Sequence, residues 1–130
     1  MTTDLICLII LALWSIPLNH TPAIARTVYS GGLEWAMGNR DTLPESPPWV
    51  GRADRAQRNH HDNLAAIAAT ILVAAVTGQA DDITAIASIV LVAARIFHAV
   101  FYIAGISLLR SLSYFTSLIA IAVIVWQIFT

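Results

Sequence analysis

The sequence predicts an all-α membrane protein: four transmembrane helices bundled in a single domain covering residues 1–130. Three observations carry this reading. The chain is 58% apolar and only 12% charged over its 130 residues, too apolar for a small soluble domain. Apolar runs near the ~20 residues needed to cross hydrocarbon recur four times. Polar groups sit inside those runs at helical spacing, and hydrocarbon tolerates them only where they face protein or a water-filled cavity. Nothing is left over for a soluble domain, and nothing in the charge pattern asks for a nucleic acid or a metal.

The first span reads from Leu5 to Ile24. Ala23-Ile24-Ala25 resembles a signal-cleavage site, but Met1-Thr2-Thr3-Asp4 lacks the basic n-region that a signal needs, so the segment is expected to stay as a helix. Cys7 is the only cysteine, which excludes an intrachain disulfide and leaves a small buried hydrophobe. Pro17 and Pro22 are tolerable in a membrane helix. Asn19 and His20 read as interhelical hydrogen-bonding groups rather than ligands. The connection Thr27 to Val50, with Gly31-Gly32, Gly38-Asn39, Pro44 and Pro47-Pro48, is an ordered or semi-ordered loop, not a fifth span. Trp35 and Trp49 suit the headgroup level. The second span runs from Gly51 to Val76, the third from Ile83 to Leu109 and the fourth from Leu112 to Phe129.

All seven basic residues are arginines. Arg26, Arg40, Arg52, Arg55 and Arg58 lie in or beside the first connection, and Arg110 between spans three and four. The termini and the turn Gly78-Gln79-Ala80-Asp81-Asp82 carry none. The positive-inside rule therefore places both termini outside and the arginine-rich connections in the cytoplasm. The expected location is a bacterial inner membrane.

Arg95, His98 and Tyr102 stand at spacings of three and four inside the third run, hence on one helical face. An arginine in hydrocarbon costs a few kcal/mol unless it is partnered, so this stripe faces protein or a site. A second constellation opens the second span: Arg52, Arg55, Asn59 and Asp62 fall within about 80° of arc, with Arg58 on a different side. The bland alternative is a solvated helix end with Arg55 and Asp62 paired through Asn59. Against it, Asn59 and Asp62 run straight into Leu64-Ala65-Ala66-Ile67 and so lie below the surface, at the depth of Arg95 and His98.

The run Arg55-Ala56-Gln57-Arg58-Asn59-His60-His61-Asp62-Asn63 resembles the signature of the MAPEG family, the membrane-associated proteins in eicosanoid and glutathione metabolism. Arg95-Ile96-Phe97-His98, Tyr102, Arg110-Ser111 and Tyr114 resemble the prostaglandin synthase pattern of the same family, and the similarity covers the whole chain. Two departures stand out: Asp62 replaces the usual glutamate, and the step from Tyr102 to Arg110 is a residue tighter.

The resemblance implies a homotrimer binding glutathione between protomers, with a transferase or peroxidase activity on lipophilic electrophiles drawn from the membrane lipid. Arg55, Arg58 and Arg95 would grip carboxylates. Asp62 would pair with the ammonium, and Asn59 and Tyr102 with the peptide. Arg26, Arg52, His98 and Tyr114 complete the implied binding set. Arg110 would stabilise the thiolate, with Ser111 donating a further hydrogen bond. The bland alternative makes Arg110 a topology charge and Ser111 a helix N-cap. Competing functions are a non-catalytic glutathione- or lipid-binding scaffold and a small multidrug transporter. The transporter needs a carboxylate in the membrane interior; Asp4 lies at a helix end and Asp62 among arginines.

Overall fold

The computed structural model describes all residues, 1–130, and its regular elements are helices alone. Helix α1, Thr3–Arg26, starts at Thr2, whose hydroxyl accepts the Leu5 amide at 3.5 Å. It continues into a π-helical turn, Thr27–Gly31, and then a short α2, Gly32–Met37. Gly32 separates the two with φ 64 and ψ 178, a backbone that a residue with a Cβ resists. The expected loop is therefore partly helical. It is also shorter than expected, because α3 (Pro48–Val76) begins with Pro48 at its first position, where a missing N–H costs nothing.

Helix α4, Asp82–Ala104, opens with a capping box. Asp81 accepts the Ile83 and Thr84 amides at 2.9 and 2.8 Å, and the Thr84 hydroxyl accepts the Asp81 amide at 2.9 Å. It ends on Gly105, in the left-handed region at φ 82, and α5 follows as Ser107–Phe129. This corrects the predicted boundary: the third span does not reach Leu109, nor does the fourth wait for Leu112. The turn is embedded in unbroken apolar sequence, so composition does not mark it. Arg110 accordingly sits in the first turn of α5, not in a break between helices.

The helical runs Thr3–Met37, Asp82–Ala104 and Ser107–Phe129 are long and apolar enough to cross a membrane. Helix α3 has the length, at 29 residues, but carries its charges in its first half. The protein is an integral membrane protein. Helix α5 lies along α4, α1 lies along α3, and α3 and α1 both touch α4. Leu11, Ile67, Ile71, Leu91 and Ile124 meet as a fully buried apolar layer drawn from all four long helices. Towards the arginine-rich end the layer narrows to Leu18, Ala56 and Ala99, the two alanines being small enough to let backbones approach.

Candidate functional site

The polar half of α3 is sorted by its helical phase. At about 100° per residue, Ala53, Ala56, His60, Ile67 and Ile71 cluster on one side, and all are buried. Arg52 and Asn59 sit at the edge of that side, half-buried against α4. Arg55, Arg58 and Asp62 occupy an arc of about 60° opposite it, exposed on the protomer. The single arc expected for Arg52, Arg55, Asn59 and Asp62 thus straddles a packing boundary, and its members part company there.

The Arg95 stripe faces inward. Arg95 is 1% exposed, and its Nη2 donates to Asn59 Oδ1 at 2.8 Å. Its Nε and Nη1 have no partner within the protein. His98, also buried, donates from Nδ1 to the Arg110 carbonyl at 3.1 Å, and its Nε2 has no partner within the protein. The imidazole stands edge-on to Tyr102, with centroids 5.6 Å apart, and tilted against Tyr114 at 5.7 Å. Arg110 lays its guanidinium 4.8 Å above the Tyr102 ring. That cation–π contact holds a charge in place without neutralising it.

These side chains wall a hollow of about 300 Å³ lined by Asn59, His98, Tyr102, Arg110, Ser111 and Tyr114, with Phe115 at its rim. Other hollows of similar size, such as the one bounded by Cys7, Ile10, Ile96 and Phe97, are lined almost wholly by hydrophobic residues. The polar hollow joins α3, α4 and α5 and is lined by one cation, two phenols, an amide, a hydroxyl and an imidazole. It suits an amphiphilic, anionic ligand.

The sequence pattern of the MAPEG family matches residues 5–130. The chain belongs to the MAPEG family. No curated protein and no solved structure matched it. Members of the MAPEG family are associated with glutathione and eicosanoid metabolism in membranes.

The MAPEG protomer brings six of the twelve expected site residues onto one hollow: Asn59, His98, Tyr102, Arg110, Ser111 and Tyr114. Arg95 stands behind this wall, acting on it through Asn59. Arg55, Arg58 and Asp62 point away from it. Arg26 is buried and ion-paired with Asp54, its Nη1 donating to Oδ1 at 3.2 Å while Nη2 meets Oδ2. Arg52 donates from Nε to the Ile103 carbonyl at 2.8 Å, satisfying the end of α4. Both arginines are engaged by the protein, which argues against direct ligand contact. Ser111 is not an N-cap, because it lies inside α5 with its hydroxyl on the Ser107 carbonyl at 3.0 Å. Asn19 does reach across helices, accepting from Gln57 at 3.4 Å, whereas His20 bonds only the Ile16 carbonyl of its own helix at 2.8 Å.

Sequence reasoning overlooked His60 and Asp54, and set Asp4 aside as a helix-end carboxylate. His60 is buried and donates from Nε2 to the Leu11 carbonyl at 3.0 Å. Asp54 is the partner of Arg26. Asp4, 2% exposed, accepts the Ser88 hydroxyl at 2.8 Å.

Proposed function

We propose that this MAPEG protein is a glutathione-dependent membrane transferase or peroxidase acting on lipophilic electrophiles. The observation that carries the reading is the fixed, uncompensated Arg110 guanidinium over Tyr102, at the mouth of a polar hollow inside a hydrophobic bundle. A thiol becomes a competent nucleophile on losing its proton, and a nearby cation favours that loss. The thiolate then forms an S–C bond as the electrophile's leaving group departs with its electron pair. With a peroxide it attacks the terminal oxygen, and the O–O bond breaks as the other oxygen leaves as alkoxide and takes a proton to become the alcohol. The glutathione sulfenic acid then condenses with a second glutathione to give the disulfide and water. Ser111 supports the anion by turning its hydroxyl from the Ser107 carbonyl to the sulfur.

The exposed Arg55, Arg58 and Asp62 supply a second half of the cradle. Lying at membrane depth and opposite the buried face of α3, they cannot face lipid without cost. Cover by a neighbouring copy would remove that cost, in keeping with a homotrimer that holds glutathione between protomers, its carboxylates on Arg55 and Arg58 and its ammonium on Asp62. The non-catalytic scaffold reading lacks an observation of its own. For the transporter reading, Asp4 is the one buried carboxylate, but Ser88 occupies it and none of the hollows described above reaches it.

Isothermal titration of the purified protein with glutathione tests the proposal. Saturable heat supports it; no specific heat in properly assembled protein refutes it. The arginine-rich end is assigned to the cytoplasm. A phosphatase fused after Thr130 should be active outside the cytoplasm, and activity confined to the cytoplasm reverses the orientation.

A further inference from the structure

Between α1 and α3 the chain folds back on itself rather than wandering. The Ser30 hydroxyl donates to the Glu45 carbonyl at 2.5 Å and ties the two arms together. The Trp35 indole donates to the Thr42 carbonyl at 2.7 Å. Arg40 donates from Nε and Nη2 to the Ala36 carbonyl at 3.0 and 2.7 Å, with its guanidinium 5.2 Å from the centre of the Trp35 ring. A Cβ on Gly31 would come within 3.0 Å of Pro44 and Trp35, so the packing is close. Yet this well-tied segment turns its aliphatic side chains outward: Val28 is 76% exposed, Leu33 74%, Met37 86% and Leu43 71%. A compact loop has little reason to exclude four apolar residues unless its surroundings welcome them.

Its position says what those surroundings are. The 24 residues of α1 span roughly 36 Å, against a hydrocarbon core of about 30 Å, so Thr27 emerges at the headgroup layer. The exposed apolar residues Leu13, Ile16 and Ile24 of α1 share a helical face with Val28, interrupted only by the exposed His20. The loop's apolar surface thus extends the side of a membrane-crossing helix that is exposed on the protomer. The break at Gly32 then starts α2 afresh, and Leu33 and Met37, four residues apart, share its outer face. Tyr29 and Trp49, 6.3 Å apart edge-to-face, stand where the two arms meet the helices, as aromatic residues do at membrane interfaces.

We propose that residues 28–43 form an in-plane anchor, with α2 sunk into the lipid interface on the arginine-rich side through Leu33, Met37 and Leu43. The anchor sets the depth of the α1 and α3 ends and keeps Arg26 and Arg52 at the headgroup level. Its own charges are Glu34, Arg40 and Asp41, with Glu45 just beyond, so acids outnumber bases. Attraction to anionic lipid does not drive it; apolar burial does, and the docking is insensitive to salt.

Nitroxide labels test this in the full-length chain carrying Cys7→Ser, assembled in phosphatidylcholine nanodiscs, with Leu33→Cys, Glu34→Cys, Met37→Cys or Leu43→Cys. Power saturation should show labels at 33, 37 and 43 colliding several-fold more with oxygen than with a water-soluble nickel chelate. The label at 34 should show the reverse, and raising salt should change neither. Nickel access at 33 and 37 equal to that at 34 means the loop stands in water and overturns the proposal. Labels immobilised and closed to both reagents mean that a second copy covers the face, which overturns it equally. An unlabelled check is tryptic cleavage after Arg40 in nanodiscs. The variant combining Leu33→Glu with Met37→Glu should be cut several-fold faster than the parent, and equal rates count against the anchor. None of these readouts depends on glutathione binding.

Discussion

The two ends of the bundle solve the same packing problem in opposite ways. In the layer of Leu11, Ile67, Ile71, Leu91 and Ile124, the packed side chains are all apolar and all four long helices contribute. Toward the arginine-rich end the interior takes in Trp14, Arg26, His60, Arg95 and His98, and each of these retains at least one buried polar atom without a partner in the protein. The first layer is complete by itself. The second is built from groups whose hydrogen-bonding capacity exceeds what the protomer supplies, a costly arrangement at membrane depth that stability alone does not select. The difference separates a half that holds the fold from a half that is organised around something else.

Substitutions sharpen this contrast. The largest effect falls on chemistry: Arg110→Ala should slow conjugation of a model electrophile by about 3 kcal/mol of transition-state stabilisation, with a stable fold. It should also raise the pH at which the thiolate appears in ultraviolet difference spectra. A parental rate and an unshifted profile reduce Arg110 to an orientation signal. Next come Arg55→Ala and Asp62→Ala, each losing about 1.5–3 kcal/mol of glutathione affinity by calorimetry. If both bind as the parent does, the outward face of α3 is no part of the cradle.

In the complete layer the expectation inverts. Leu91→Ala should lower the stability of the detergent-solubilised protein by about 1–2 kcal/mol, the cavity and packing loss that remains when lipid replaces water as the reference, while leaving glutathione affinity unaltered. A matching loss of affinity would dissolve the distinction between the two halves. The smallest effect is that of Ser111→Ala, about 0.5–1.5 kcal/mol on the rate, because a neutral hydrogen bond stabilises an anion less than a full charge does. A Ser111 effect exceeding that of Arg110 would reassign the thiolate's main partner.

Helix content and the inward turn of Arg95, His98 and Tyr102 were legible because they follow from periodicity and the cost of a charge in hydrocarbon. Helix ends were less so. The α4–α5 turn hides in apolar sequence, and Gly105 was its one local marker. What each polar group touches was not legible at all. Arg26 with Asp54, His98 with the Arg110 carbonyl and Asp4 with Ser88 are separated by long stretches of chain, and no local pattern announces such pairings. Asp4 misled for a physical reason: a carboxylate in the first turn of a helix is ordinarily solvated, and here α4 covers it.

Arg52 reaching under the α4–α5 turn has one more consequence. Its guanidinium carbon lies 3.3 Å from where a side chain on Gly105 would begin, while its Nε holds the Ile103 carbonyl. The elbow between the helices that bear His98 and Arg110 is thereby keyed to the helix that bears Asn59. Positions 52 and 105 are not free to drift separately: a larger residue at 105 evicts the arginine, and a shorter one at 52 unlocks the elbow. Across descendants of this chain the two should change together or stay as they are.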